Sequence, residues 1–172
     1  MSELTEFRQA KDEFFKKGFQ SPLTDEQKKD FHGLNYFPEN AALRLRLPLE
    51  RYPQPAHVMM QTSKGDVQEY LRVGQIKFQV NGQDAALQIY ESVDRPGMYF
   101  LPFVDATAPH ESYGAGRYLE PEEEGDHLSV DFNLAYNPYC AFDPQKWSCP
   151  LPPAENRLTV RIEAGEKKFH PD

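Results

Sequence analysis

The residues of this 172-residue chain that could do chemistry are concentrated in one stretch, residues 130–156. The stretch reads VDFNLAYNPYCAFDPQKWSCPLPPAEN, and it holds both cysteines and the only tryptophan. Each proline inside a helix removes a hydrogen-bond donor and costs about 3 kcal/mol, so this proline-rich stretch cannot form a long helix. It is also too aromatic for a disordered linker. Proteins commonly carry their sites on ordered, irregular loops of this kind.

The two cysteines, Cys140 and Cys149, have four possible roles: metal ligands, a disulfide, a nucleophile or buried structural thiols. They lack the close spacing of a structural zinc site and there is no second pair, so we predict no metal site. A disulfide is feasible, but a cytosolic setting disfavours it. As a nucleophile Cys140 would need a base from elsewhere in the chain, such as His110 or His127. Buried structural thiols are the favoured interpretation.

Three polar residues of the same stretch are candidates for ligand binding. Asp131 and Asn133 are two residues apart, so on an extended strand both side chains face the same side. Together with Asn137 they could orient a polar ligand through hydrogen bonds. The alternative is that the asparagines bond to the loop backbone, replacing the partners that a sheet would supply.

A second candidate stretch spans residues 103–118. Gly114 and Gly116 allow the backbone to approach a ligand closely, and Arg117 offers a bidentate fork for a carboxylate or phosphate. The stretch lacks the strand-to-helix context of a dinucleotide-binding motif. Asp105 and Arg117 could equally form a structural ion pair at the end of a strand.

Composition excludes several classes of function. The formal net charge of −8 and the pI near 5.2 argue against nucleic acid or an anionic membrane as a partner. No apolar stretch approaches the roughly 20 residues that span a bilayer, and the N-terminal residues lack a signal-peptide core. We therefore expect a cytoplasmic location.

The elements that position these residues are predicted from periodicity. Residues 3–17 have a helical pattern that Ser2 can cap, and a second helix is expected from a capping box at Thr24, with Gly33 as its C-cap. Alternating residues then indicate strands, including a hairpin at Asn81-Gly82 and a strand over 158–163.

The predicted fold is mainly β, a β-rich α+β class. We expect an antiparallel barrel or sandwich of about eight strands with two N-terminal helices, because no helices are interleaved between the strands. The chain is predicted to form a single domain over residues 1–172, in which a helical segment, 1–33, packs on a β domain, 41–168.

Several longer motifs resemble those of an uncharacterised bacterial and archaeal family, a domain of unknown function. The resemblance runs from about Glu6 to Lys168 and is carried by SPLT, FxGLxYFP, FxDxT, ESYGAGRYL, DFNLAYNPYCAF, CPLPPAEN and IEAGEK. It implies no activity or cofactor. Some members resemble secreted or lipid-anchored proteins and others cytosolic ones, and we expect this chain to be of the second kind. If relatives occupy oxidising compartments, a Cys140–Cys149 disulfide becomes more credible. Similar proteins pair the GRYL-like and DFNxAYNPYC-like motifs, which implies one shared surface.

We predict a domain that binds a small polar or anionic molecule, with its pocket between the 103–118 and 131–156 segments; no cofactor is assigned. One alternative is a metal-free hydrolase or thiol-dependent enzyme that uses Cys140. Another is a structural or partner-binding module, including a homodimer through an edge strand at 43–49. The predicted ligand-binding residues are Asp105, Tyr113, Arg117, Tyr118, Asp131, Asn133, Tyr136, Asn137, Cys140, Cys149 and Asn156.

Overall fold

A computed structural model describes residues 2–171. Two α-helices, α1 (Glu3–Lys17) and α2 (Asp25–Lys29), precede the strands. The strands are β1 (Arg44–Pro48), β2 (Glu50–Gln61), β3 (Val67–Val80), β4 (Gln83–Ser92), β5 (Tyr99–Phe103), β6 (Arg117–Leu119), β7 (Glu122–Glu124) and β8 (His127–Asp131). Short 3₁₀ turns follow at Phe132–Leu134, Tyr139–Ala141 and Ala154–Asn156.

The N-terminal helices follow from their end signals. In α1 the Ser2 hydroxyl accepts the backbone N–H of Thr5, and lysines in the last turn complement the helix dipole. The capping box at Thr24 forms as predicted and starts α2. The predicted C-cap at Gly33 is wrong, because α2 ends at Lys29 and its C-cap is Asp30, whose N–H donates to the carbonyls of Gln27 and Lys28.

Two antiparallel sheets form a sandwich-like fold and do not close into a barrel, so the barrel alternative is wrong. One sheet has the order β2-β3-β4-β5-β6 and the other the order β1-β8-β7. Side chains of both sheets meet in one apolar cluster, which includes Ile76, Leu87, Phe103, Leu128 and Phe132. Burial of these side chains is the main term that holds the sheets together.

The β3–β4 hairpin confirms the strongest local prediction. Asn81 and Gly82 have φ angles of 50° and 80°, as the two central residues of a type I′ turn require. Val80 pairs with Gln83 directly across the turn.

The strand predicted over 158–163 is wrong. The backbone there is irregular, although the Leu158 N–H donates to Val104 O at 2.7 Å and the Ala106 N–H donates to Val160 O at 2.9 Å. At Ile162 the backbone N–H donates instead to a carboxylate oxygen of Asp105. A side chain thus takes the place of a neighbouring strand.

Helix α1 is fixed to the rest of the chain by polar contacts along one side. An Asp12 carboxylate oxygen accepts the N–H of Leu34 and the hydroxyl of Tyr36, both at 3.0 Å. Lys11 forms an ion pair with Glu166, and Arg8 donates to Phe37 O at 3.1 Å.

Strand β1, which includes most of the proposed dimer edge at 43–49, pairs only with β8 and so lies at an edge of its sheet. Homodimer formation through it stays a prediction. Over residues 2–171, no helix has both the length and the apolar character needed to cross a membrane.

Asn156 joins two strands where they diverge. Its side chain is fully buried and accepts the N–H of Gln88 at 2.8 Å, while its amide group donates to Gln88 O at 3.0 Å and Pro102 O at 2.8 Å. Strands β4 and β5 pair only through residues 90–91 and 99–100, so this amide supplies the bonds that the ladder lacks.

We expect Asn156→Ala to lower the free energy of unfolding by about 3 kcal/mol, because it leaves buried backbone groups without partners. Urea denaturation followed by circular dichroism measures this. The exposed Asn35→Ala is the matched control and should change stability by no more than about 0.5 kcal/mol. Equal effects of the two substitutions would contradict the assigned role.

Candidate functional site

The guanidinium of Arg117 is almost completely buried, with 1% of the residue exposed. One terminal nitrogen donates to Ala164 O at 2.5 Å and Glu166 O at 3.1 Å. The other donates to Ile162 O at 2.9 Å and to an Asp105 carboxylate oxygen at 3.2 Å. Arg117 therefore binds alternate carbonyls of the chain's own C-terminal segment.

Asp105 completes this buried pair. Its carboxylate accepts the N–H of Ile162 at 2.6 Å and the hydroxyl of Thr107 at 2.9 Å. Burial lowers the pKa of Arg117, and the Asp105 carboxylate opposes that effect. The geometry supports a structural ion pair between Asp105 and Arg117, because both charged groups form their bonds within the protein.

The asparagines and Asp131 also bond to the protein. Asn133 accepts the N–H of Asn40 at 2.8 Å and donates to Asn40 O at 2.9 Å. Asp131 accepts the Asn133 backbone N–H at 3.0 Å and pairs with Arg44. Asn137 donates to Lys167 O at 2.9 Å. These side chains replace sheet partners, as the alternative interpretation expects.

The two segments predicted to enclose a pocket pack directly on each other. The N–H and C=O groups of Tyr118 and Tyr136 exchange hydrogen bonds of 2.9 and 3.0 Å. Tyr118 also donates its hydroxyl to Pro150 O, and burial raises its pKa. Tyr113 is half-buried, which raises the pKa of its phenol. The ligand-binding role of these residues stays a prediction, but their shared boundary is a packed contact.

Cys140 and Cys149 form a disulfide, so the favoured interpretation as free thiols is wrong. The pair lies beside Tyr118, Tyr136 and Trp147 in a small cluster. The spacing of the two cysteines in the sequence could not decide between a disulfide and free thiols, because pairing depends on how the loop folds back. A disulfide-bonded Cys140 carries no thiolate, which removes the nucleophile that the thiol-dependent alternative requires.

The histidines proposed as bases lie on the surface. His127 contacts Asp126 at 2.6 Å, and His110 is exposed beside Glu111. Within residues 2–171, no cluster of three or more His, Cys, Asp or Glu residues could hold a metal ion.

A groove of about 490 Å³, here called the C-terminal groove, lies where residues 35–36, 110–111 and 167–171 meet. Its volume is within the range of roughly 300–1,000 Å³ that is usual for small-molecule sites. The residues that line it are Asn35, Tyr36, His110, Glu111, Lys167, Lys168, Phe169 and Pro171.

Charge in the C-terminal groove is uneven. Glu111 accepts two hydrogen bonds from Arg161, at 2.6 and 2.8 Å, and this contact holds its pKa below the usual range. The ammonium of Lys167 lies 5.0 Å from the ring centre of Phe37, and its charge also helps to lower the pKa of Glu111. Tyr36 supplies a wall whose hydroxyl donates to Asp12.

A second groove, here called the aromatic groove, has a volume of about 300 Å³. It opens on the sheet surface beside the disulfide cluster. Tyr70 and Phe100 form its floor, and charged side chains line its rim. The residues that line it include Tyr70, Asp94, Arg95, Met98, Phe100 and Glu120.

Sequence reasoning did not select the residues of either groove as ligand-binding groups. Lys167 belongs to the IEAGEK motif, which carries the family resemblance but predicts no chemistry. Tyr36 and Lys167 are more than a hundred residues apart in sequence, so no local spacing could have joined them. For the aromatic groove, the only sequence signal was that Tyr70 and Phe100 each belong to an alternating, strand-like segment.

Removing the disulfide should lower stability without changing the fold. The double variant Cys140→Ser/Cys149→Ser should lose about 2–3 kcal/mol of unfolding free energy, as expected for a short closed loop. The nearby Ser148→Ala is a control that leaves the crosslink intact. Mass spectrometry after iodoacetamide treatment without reductant should show no added mass, and alkylation of the unreduced native protein would contradict the crosslink.

Comparison with known proteins gives a family. The model of a family described as "Protein of unknown function (DUF1684)" matches residues 29–167. The solution NMR structure of the uncharacterized protein from gene locus rrnAC0354 of Haloarcula marismortui is similar, with a TM-score of 0.71 and 36% sequence identity. The match covers 95% of this chain and 91% of that one. No curated protein matches the chain. The chain therefore belongs to the family of unknown function DUF1684.

Proposed function

We propose that the protein binds a small anionic molecule in the C-terminal groove. The observation that carries the proposal is the local cationic character of this groove in a chain whose net charge is −8. Lys167 and Lys168 line it, whereas the carboxylate of Glu111 is already paired with Arg161. A cationic patch in an acidic protein attracts anions to that place.

Backbone hydrogen bonds support the proposal, because they fix the three segments of the groove to one another. The Lys167 N–H donates to Asn35 O at 2.8 Å, and the Lys168 N–H donates to Glu111 O at 3.1 Å. A site whose walls are already ordered loses little conformational entropy when a ligand binds.

Aromatic walls specify what else the ligand contains. The Phe169 ring packs on Phe142 with centroids 4.9 Å apart, and Tyr36 is held by Asp12. Rings fixed in this way present apolar faces to a guest. The best-matched ligand class is a carboxylate or phosphate ester with a planar or apolar group attached.

Phenyl phosphate is the probe that tests this assignment. Titration into ¹⁵N-labelled protein should shift amide resonances of residues 35–36, 110–111 and 167–170, and the shifts should weaken in 0.5 M salt because exposed charges are screened. Benzyl alcohol, which lacks the anion, should bind more weakly.

Lys167→Met should reduce affinity for phenyl phosphate about two- to fivefold, the usual worth of one exposed charge pair. Lys77→Met is the matched control, because Lys77 is exposed on β3, 3.6 Å from Glu50. Unchanged affinity in Lys167→Met, or shifts confined to other parts of the protein, would refute the proposal.

A further inference from the structure

We infer that the aromatic groove is a second binding site, and that it takes an aromatic zwitterion of the size of a free aromatic amino acid. The inference is independent of the anion site, since the two grooves share none of their lining residues. Their charge also differs in sign, because the aromatic groove is lined by one arginine, Arg95, and two acidic residues, Asp94 and Glu120.

The floor of the aromatic groove is a stack of rings. Tyr70 and Phe100 are stacked with centroids 5.4 Å apart and an interplanar angle of 27°, and both remain partly exposed. Phe100 meets Tyr118 edge-to-face at 4.8 Å, and Tyr118 meets Tyr136 in the same way at 5.8 Å. The inner rings therefore hold the row in place, and the ring of a bound aromatic molecule can stack on its exposed end.

The side of the groove adds a soft apolar contact. Met98 is 52% exposed and follows the turn that joins β4 to β5. A thioether beside an aromatic floor favours an aromatic guest, because sulfur–ring contacts are stabilising and the Met side chain adapts to its neighbour.

Arg95 provides an unused anion-binding group at the rim. Within residues 2–171 its guanidinium forms no hydrogen bond or ion pair with another side chain, although Asp94 is its neighbour in sequence. The guanidinium lies close enough to Tyr70 for its charge to act on the phenol, opposing the rise in pKa that burial causes. A planar fork beside a ring floor matches a carboxylate attached to an aromatic group.

Glu120 and Asp94 provide the complementary anionic groups. One oxygen of the exposed Glu120 carboxylate accepts the hydroxyl of Tyr136, which orients the group and leaves its second oxygen available. Asp94 is exposed, and over residues 2–171 its carboxylate accepts no hydrogen bond. Both groups can accept bonds from an ammonium, which donates in three directions.

One ligand class uses all of these features together. A simple aromatic acid would offer no cation to the two carboxylates, and an aromatic amine would offer no anion to Arg95. A free aromatic amino acid has the ring, the carboxylate and the ammonium. The volume of about 300 Å³ restricts the guest to a single ring.

L-phenylalanine is the probe, with three analogues that each lack one feature. 3-Phenylpropanoate lacks the ammonium, phenethylamine lacks the carboxylate and L-alanine lacks the ring. In titrations followed by ¹⁵N NMR, L-phenylalanine should shift amides of residues 68–70, 92–95, 97–100 and 120. Each singly charged analogue should bind about two- to fivefold more weakly, and alanine more weakly still.

Arg95→Gln should abolish the preference for L-phenylalanine over phenethylamine and keep the binding of phenethylamine itself. Arg157→Gln, which removes an exposed arginine elsewhere, should keep the full preference. Lys167→Met should also keep it, which separates this site from the anion site. Equal binding of alanine and phenylalanine, or an unchanged preference in Arg95→Gln, would overturn the inference.

Discussion

The buried guanidinium of Arg117 is the interaction on which the irregular half of the protein depends. It gathers the carbonyls of Ile162, Ala164 and Glu166, which have no sheet partner, and the Asp105 carboxylate balances its charge. Removal of one partner from such a pair leaves an uncompensated charge inside, which costs several kcal/mol. Lysine could not replace this arginine, because a single ammonium cannot match the geometry of a planar fork. The central motif residues thus hold the chain's own backbone in place.

The C-terminal groove is an extension of this buried contact. Arg117 binds Glu166 O, and the next residue, Lys167, projects into the groove. The Glu166 carboxylate pairs with Lys11 of α1 and accepts the N–H of Asn137, so the same residue connects the helix, the disulfide-bearing loop and the groove wall. The proposed anion site therefore lies on a constrained backbone, whereas the aromatic groove depends on a separate ring stack on the sheet.

Local signals made about half of this structure predictable. The bounds of α1, the capping box at Thr24 and the hairpin at Asn81-Gly82 follow from neighbouring residues, so sequence reasoning reached them. The segment over 158–163 alternates like a strand, but the partners of Ile162 are the side chains of Asp105 and Arg117, and hydrophobic periodicity cannot reveal contacts between residues so far apart in sequence. Polar residues were correctly seen as concentrated in two stretches. Whether they bind a ligand or a backbone depends on what the fold places opposite them, and most of them face buried backbone groups.

Native-state hydrogen exchange at the amide of Ile162 tests this account most directly. That amide donates to Asp105 beside the buried guanidinium, although it lies outside any strand. If the Arg117–Asp105 pair holds the C-terminal segment, the amide should exchange only through global unfolding, as slowly as the amide of Ile89 in the core strand β4. Exchange of Ile162 as fast as the exposed turn amide of Gly125 would show that the segment opens on its own, and would contradict the account.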